Sequence, residues 1–180
     1  MTRRLFFALE FPAEIRLRLA QHGRELSALA ESGRWTRQEN LHLTLQFLGD
    51  CPDEWMPELT RVIRALAADW PPFNLEFAGA GTFGCPGNIL WLGIRPQPLL
   101  SGLAARLRSL LDQQGLPCDA RPFSPHITIG RQVRIDTRRL SEWSMAPLSC
   151  RIDSISLMES AKMEERLVYR PIMRETLMGN

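Results

Sequence analysis

The chain is 180 residues long, 44% hydrophobic and 23% charged, with a formal net charge of +2 at neutral pH. This is the composition of a folded globular protein; it excludes disordered, collagen-like and coiled-coil chains, and the near-balance of charge argues against a purely electrostatic coat for nucleic acid or membrane. No stretch approaches the roughly 20 apolar residues of a membrane helix, and the apolar run after Arg4 stops at Leu9, so neither a span nor a secretory leader is expected.

Arg4–Phe11 (RLFFALEF) is a short apolar and aromatic run stopped by Pro12, which predicts a buried strand. From Pro12 to Leu29, Ile15, Leu19, Leu26 and Leu29 recur at helical spacing among Arg and Glu, with proline suited to the first turn. His22, within this helix, reads as a surface or boundary residue. Leu41–Gly49 (LHLTLQFLG) alternates Leu41, Leu43, Leu45 and Phe47 with His42, Thr44 and Gln46, a strand with two distinct faces. Asp50, Pro52, Asp53 and Glu54 then make an acidic start to a helix running to Ala68, ended by Trp70-Pro71-Pro72.

Strands over Phe73–Phe83 and Asn88–Ile94 flank a Gly84–Gly87 turn, and a helix covers Pro98–Gln114. The glycine-rich Gly79–Thr82 stretch matches no phosphate-loop pattern and reads, like Gly84–Gly87, as a turn. Pro125–Gly130 is a second two-faced strand, followed by a short Arg-rich helix near Asp136–Trp143 and closing strands over Leu148–Met158 and Arg166–Met173. The class is α+β with antiparallel sheets, because strands that alternate in polarity are unlike the doubly apolar strands of a wound parallel sheet. No linker or low-complexity tract separates the two halves, which are expected to pack as lobes. The four cysteines form no C-x-x-C pair, so reduced, buried thiols of a cytoplasmic protein are expected.

Two of the three histidines sit in one pattern, His42-Leu43-Thr44-Leu45 and His126-Ile127-Thr128-Ile129. In a strand, residues i and i+2 share a face, so each His and Thr point out together while the aliphatics anchor the strand to a core. A lone histidine in such a strand would be an ordinary polar residue; the repeat points to chemistry. Strands placed side by side would give one cleft two imidazoles and two hydroxyls, a set suited to cleaving a phosphodiester. One neutral imidazole takes a proton from water, the other as imidazolium protonates the leaving oxygen, and the hydroxyls bind the phosphate oxygens. No third ligand accompanies either histidine, and a catalytic zinc uses three protein ligands, so neither metal nor cofactor is expected.

Extended as Asn40–Gly49 and Arg121–Ile129, and with the opening Arg4-Leu5-Phe6-Phe7-Ala8, the motifs resemble the two-histidine phosphoesterase superfamily, and within it the LigT-like RNA 2′,3′-cyclic phosphodiesterases. The resemblance covers nearly the whole chain. It implies residues 1–180 as a single bilobal domain: two pseudo-symmetric lobes of antiparallel sheet with outer helices around a central cleft, each lobe contributing one motif strand, 41–49 and 125–130. It implies metal-independent opening of an RNA 2′,3′-cyclic phosphate to a 2′-phosphate, with His42 as proton donor and His126 as proton acceptor, and reverse 2′-5′ ligation through the same cleft. Residue types alone leave those two roles interchangeable. The ligands implied are RNA ends or nucleotides bearing the cyclic phosphate, with no membrane, no obligate protein partner and a monomeric chain.

Thr44, Thr128, Arg131 and Arg121 are the candidates for phosphate contact, and Gly130 stands where the family more often has alanine or a bulkier aliphatic. Arg131, Arg134, Arg138 and Arg139 form the densest basic segment, either a solvated face or an RNA-backbone contact. Phe11, Trp35 and Phe47 are the aromatics placed to stack a base. Two rival functions remain on sequence grounds: a nucleotide or RNA-end binding module without turnover, and a cyclic phosphodiesterase of small nucleotides. The basic residues are 21 arginines and a single lysine, Lys162.

Overall fold

Alternating short strands and amphipathic helices assemble into two antiparallel sheets in the computed structural model, which describes residues 2–84, 89–119, 121–164 and 166–179. In chain order the elements are β1 (Thr2–Glu10), α1 (Ala13–Leu29), β2 (Ala30–Trp35), β3 (His42–Pro52), α2 (Met56–Asp69), β4 (Phe73–Phe83) and β5 (Ile89–Ile94). They continue with α3 (Pro98–Gln113), β6 (His126–Ile135), α4 (Thr137–Glu142), β7 (Leu148–Ile152), β8 (Ser154–Met163) and β9 (Arg166–Thr176). The first sheet runs β3-β1-β8-β9 and the second β2-β6-β5-β4-β7. The α+β antiparallel class expected from the alternating strands is the one observed.

The helices cover the sheets with one face each: Leu19 and Leu26 from α1, Leu59, Val62, Ile63 and Leu66 from α2, and Leu100, Leu103, Leu107 and Leu111 from α3 are buried. At about 1.5–3 kcal/mol per fully buried aliphatic side chain, these faces outweigh the absence of side-chain caps on α1 and α2. Leu43 and Leu45 of β3 and Ile127 and Ile129 of β6 enter one continuous buried cluster, so both motif strands stand on the same core. No described helix is long and apolar enough to cross a membrane.

The lobes are not the two halves of the chain. The first sheet takes β1 and β3 from the N-terminal part and β8 and β9 from the C-terminal part, while β2 joins the second. The expected strand Leu148–Met158 is two strands in different sheets, β7 beside β4 and β8 beside β1, with Asp153 between them. The sequence marks the break as a slip in parity: Cys150 and Ile152 are buried on one side of Asp153, Ile155 and Leu157 on the other.

Several other expectations are corrected. β2 is an added strand, its polar residues suited to the edge of a sheet rather than to alternation. β3 continues to Pro52, and the acidic segment Asp53–Trp55 forms a 3-10 turn before α2 begins at Met56. Gly79–Thr82 lies within β4, where Gly79 has φ +67° at a register shift and the Trp91 ring fills the space a Cβ on Gly81 would need. Residues 85–87 of the expected turn, with Cys85, fall outside the described residues. Cys51 and Cys150 are buried free thiols and Cys118 is half-buried. His22 is buried, with Nδ1 3.1 Å from Glu25 Oε2 and its ring edge-on to Trp143.

Gly130 has a local cause. It pairs with Trp35 across β2 and β6, and a Cβ there would come within 2.8 Å of Val133 Cγ2 and 2.9 Å of the indole. Gly130→Ala should therefore destabilise the fold by about 1–3 kcal/mol in urea unfolding through overpacking. Removing the indole with Trp35→Ala in the same chain should relieve that loss in a double-mutant cycle.

Candidate active site

The two-residue period of β3 and β6 turns His42 with Thr44, and His126 with Thr128, away from the core that holds Leu43, Leu45, Ile127 and Ile129. All four polar side chains line one cavity of about 450 Å³ between the sheets. β1 adds Arg4 and Phe6, β8 adds Ser160 and Lys162, β9 adds Leu167 and Tyr169, and the segment before β3 adds Asn40. No acidic side chain is among the described lining residues.

Each imidazole is fixed by the backbone two residues earlier. His42 Nδ1 lies 2.8 Å from the Asn40 carbonyl, and His126 Nδ1 lies 2.7 Å from the Ser124 carbonyl. A carbonyl only accepts, so Nδ1 carries the proton in both rings and Nε2 is the lone-pair nitrogen of the neutral form. His42 Nε2 is 2.9 Å from Thr44 Oγ1. The His42 ring also packs on Phe6 at 5.0 Å and against the edge of Tyr169 at 5.0 Å, while His126 meets Phe83 edge to face at 4.9 Å.

Asn40 secures this arrangement. Its side-chain amide donates to the Leu167 carbonyl at 2.9 Å and its side-chain oxygen accepts from Tyr169 N–H at 3.2 Å, tying the His42 loop to β9. Glu10, opposite His42 in the β1–β3 register, accepts hydrogen bonds from Ser156 Oγ and from Arg174 at 2.6 Å.

Burial lowers the pKa of both histidines, but the charges around them differ. At His42 the Asn40 carbonyl and the Glu10 carboxylate act in the opposite direction, raising the pKa, while His126 and Arg131 lower it further. At His126 the Ser124 carbonyl opposes the burial effect and Arg131 adds to it. No group of three or more His, Cys, Asp or Glu side chains suited to a metal ion occurs among the described residues.

Of the phosphate-contact candidates, Thr44, Thr128 and Arg131 line the cavity and Arg121 does not. Arg121 is engaged with Asp119, whose carboxyl it holds down at about 2. Arg134 pairs with Glu31 and Arg138 with Glu142, so within the basic segment Arg131 alone is among the described lining residues.

Among the aromatics, Phe11 is buried against Phe77, and Trp35 packs over Gly130 outside the cavity lining. Phe47 does line it, though alternation put its ring on the core side. Register shifts in the β1–β3 pairing bury Gln46 and turn Phe47 outward, where the Arg4 guanidinium lies 5.0 Å over its ring. Asn40, Phe6, Tyr169 and Lys162 were not singled out as site residues by the sequence; the available signal was rarity, since the chain has one Tyr and one Lys.

A family model described as the 2′-5′ RNA ligase superfamily matches residues 11–164. An RNA 2′,3′-cyclic phosphodiesterase of Escherichia coli K12 is 35% identical over 180 residues, 97% of each chain. Another, of Geobacillus stearothermophilus, is 34% identical over 129 residues; the match covers 71% of this chain and only 41% of that relative. The crystal structure of E. coli LigT complexed with 3′-AMP superimposes with a TM-score of 0.80 at 31% identity, over 98% of both chains.

Two measurements test the site's construction. Asn40→Ala strands the Leu167 carbonyl and the Tyr169 N–H and should cost about 1–3 kcal/mol in urea unfolding. Both imidazoles should titrate below 6.5 by NMR. The unfolded chain then takes up protons that the folded chain resists, so stability should fall as pH drops below about 6.5. His42→Gln and His126→Gln should each flatten that slope.

Proposed function

This chain belongs to the 2′-5′ RNA ligase superfamily, and we propose that its pocket opens the 2′,3′-cyclic phosphate at the end of an RNA strand by acid–base catalysis from His42 and His126, leaving a 2′-phosphate. It is an enzyme of the RNA 2′,3′-cyclic phosphodiesterase class. The observation that carries the mechanism is the pair of imidazoles in one cavity, each with Nδ1–H bonded to a carbonyl so that Nε2 is the nitrogen that exchanges a proton.

His126 is the base: its Nε2 takes a proton from water as the water oxygen bonds to phosphorus. His42 is the acid: its Nε2–H gives a proton to the 3′ oxygen as the phosphorus–O3′ bond breaks, and the phosphate stays on the 2′ oxygen. Burial and Arg131 lower the pKa of both rings, and what supports this division is the Glu10 carboxylate, which favours a proton on His42 and has no counterpart at His126. Each turnover moves one proton onto His126 and one off His42, and exchange with solvent resets both.

Thr44, Thr128 and Arg131 hold the non-bridging oxygens, with Arg131 supplying the fixed positive charge. Two imidazoles, two hydroxyls and a guanidinium fill every role that hydrolysis needs, so the reaction runs without a metal. Phe47 offers its exposed ring to the terminal base. A 5′-hydroxyl in place of water passes through the same steps to a 2′-5′ linkage and a free 3′-hydroxyl.

The test is ³¹P NMR of an oligonucleotide ending in a 2′,3′-cyclic phosphate, incubated with the protein in excess EDTA. A single 2′-monophosphate signal should appear, and His42→Ala and His126→Ala should each slow it by about 10²–10⁴-fold. The kcat/KM profile should be bell-shaped, with both limbs displaced to the acid side of free imidazole by burial. An unchanged cyclic phosphate would reject the hydrolase reading in favour of a binding module, and a rate indifferent to chain length would favour small cyclic nucleotides as substrates.

A further inference from the structure

The cavity holds more positive charge than one phosphate requires. A 2′,3′-cyclic phosphate carries a single negative charge, yet Arg4, Arg131 and Lys162 all line the pocket. Several arginines elsewhere on the surface are matched to carboxylates, as in Arg3 with Asp53, Arg64 with Glu175, Arg170 with Glu159 and Arg174 with Glu10. Arg4, Arg131 and Lys162 enter no ion pair with the described residues, and no described acidic side chain lines the pocket around them.

Their placement separates them into two groups. Arg131 follows Thr128 on β6, beside the histidines. Arg4 and Lys162 stand on the other sheet. In the β1–β8 register Phe6, which packs on His42, faces Met158, and Leu5 faces Glu159. The β1–β8 ladder ends at Leu5 and Glu159; continued by one residue it would bring Arg4 level with Ser160, a two-residue repeat of about 7 Å from the Phe6 row, with Lys162 one repeat further along β8. The flexible lysine stem reaches back over that distance, while Arg4 is held over the Phe47 ring. From the histidines outward the pocket thus presents the two motifs with Arg131, the Phe47 ring, and then Arg4 and Lys162 with the Ser160 hydroxyl; Asp50, opposite Arg4 in the β1–β3 register, makes no ion pair with it and is not among the lining residues.

We propose that Arg4 and Lys162 form a second phosphate subsite, which receives the phosphate on the 5′ side of the terminal nucleoside while its cyclic phosphate lies between the histidines. The proposal rests on the reading of the catalytic end given above and names what that end is attached to: a nucleotide unit phosphorylated on both sides, as in an RNA chain, rather than a nucleoside cyclic phosphate alone.

Binding of unreactive ligands tests it apart from turnover. Calorimetry compares adenosine 2′-monophosphate with adenosine 2′,5′-bisphosphate, which differ by one phosphate. The bisphosphate should bind about tenfold more tightly at low salt, with the steeper salt dependence, as expected for one additional charge-assisted contact. Lys162→Met and Arg4→Met should each shrink that ratio to within about threefold, and Lys162→Arg should restore it, which loss of packing would not produce. A dinucleotide ending in a 2′-phosphate separates the two sources of the ligand: a Lys162-dependent gain there assigns the subsite to the bridging phosphate of an RNA chain, and a gain confined to the bisphosphate assigns it to a free 5′-phosphate. Equal affinity for the monophosphate and the bisphosphate, a preference that survives both Met substitutions, or no binding of either ligand overturns the proposal. Protein that shows the Lys162-dependent preference but leaves cyclic phosphate intact would reject the catalytic reading and keep the subsite.

Discussion

Leu43, Leu45, Ile127 and Ile129 are packed into one buried cluster, and the rest of the site depends on that shared core. Two strands from different sheets are held against the same close-packed interior, so the separation of their outward faces is set by side-chain packing rather than by loops. A slip of either strand by one residue would put an aliphatic where an imidazole stands. The covering helices keep that core dry and leave the opposite side of each motif facing the cavity.

On this footing the two histidines are alike in orientation and unlike in surroundings. Each donates from Nδ1 to the carbonyl two residues back, a local contact that an extended strand start provides at both places. The differences come from the neighbouring strands. β1 and β9 place Glu10, Phe6 and Tyr169 around His42, whereas β5 and the start of β6 leave His126 more open and without a carboxylate beside it, and Arg131 acts on both. A repeated tetrapeptide thus yields two sites with different surroundings because one sits at the edge of a four-stranded sheet and the other inside a five-stranded one.

The sequence disclosed what depends on period and repetition. The two-faced strands, the helices closed by Trp70-Pro71-Pro72 and opened by Pro98, and the four polar motif residues all follow from local pattern, and the structure brings those four residues to one cavity. What it hid depends on partners distant in the chain. The exposure of Phe47 arises from register shifts against β1, which alternation within β3 does not contain. Tyr169 and Leu167 reach the cavity through the side chain of Asn40, across well over a hundred residues of sequence. Arg121 and Arg131 are the same residue type beside the same motif, but Arg121 lies before β6 and is paired with Asp119 while Arg131 lies on β6 and lines the cavity.

The interleaving of the sheets also bears on how the site comes into being during synthesis. A nascent chain that has emerged as far as Ile135 already carries both His-x-Thr strands, but its first sheet consists only of β1 and β3. Glu10 then lacks Ser156 and Arg174, and His42 lacks Tyr169. Pairing of β1 with β8 closes a loop of well over a hundred residues, the kind of non-local contact that makes folding slow. The cavity around the two motifs is therefore complete only when the last hairpin docks, after nearly the whole chain has been made.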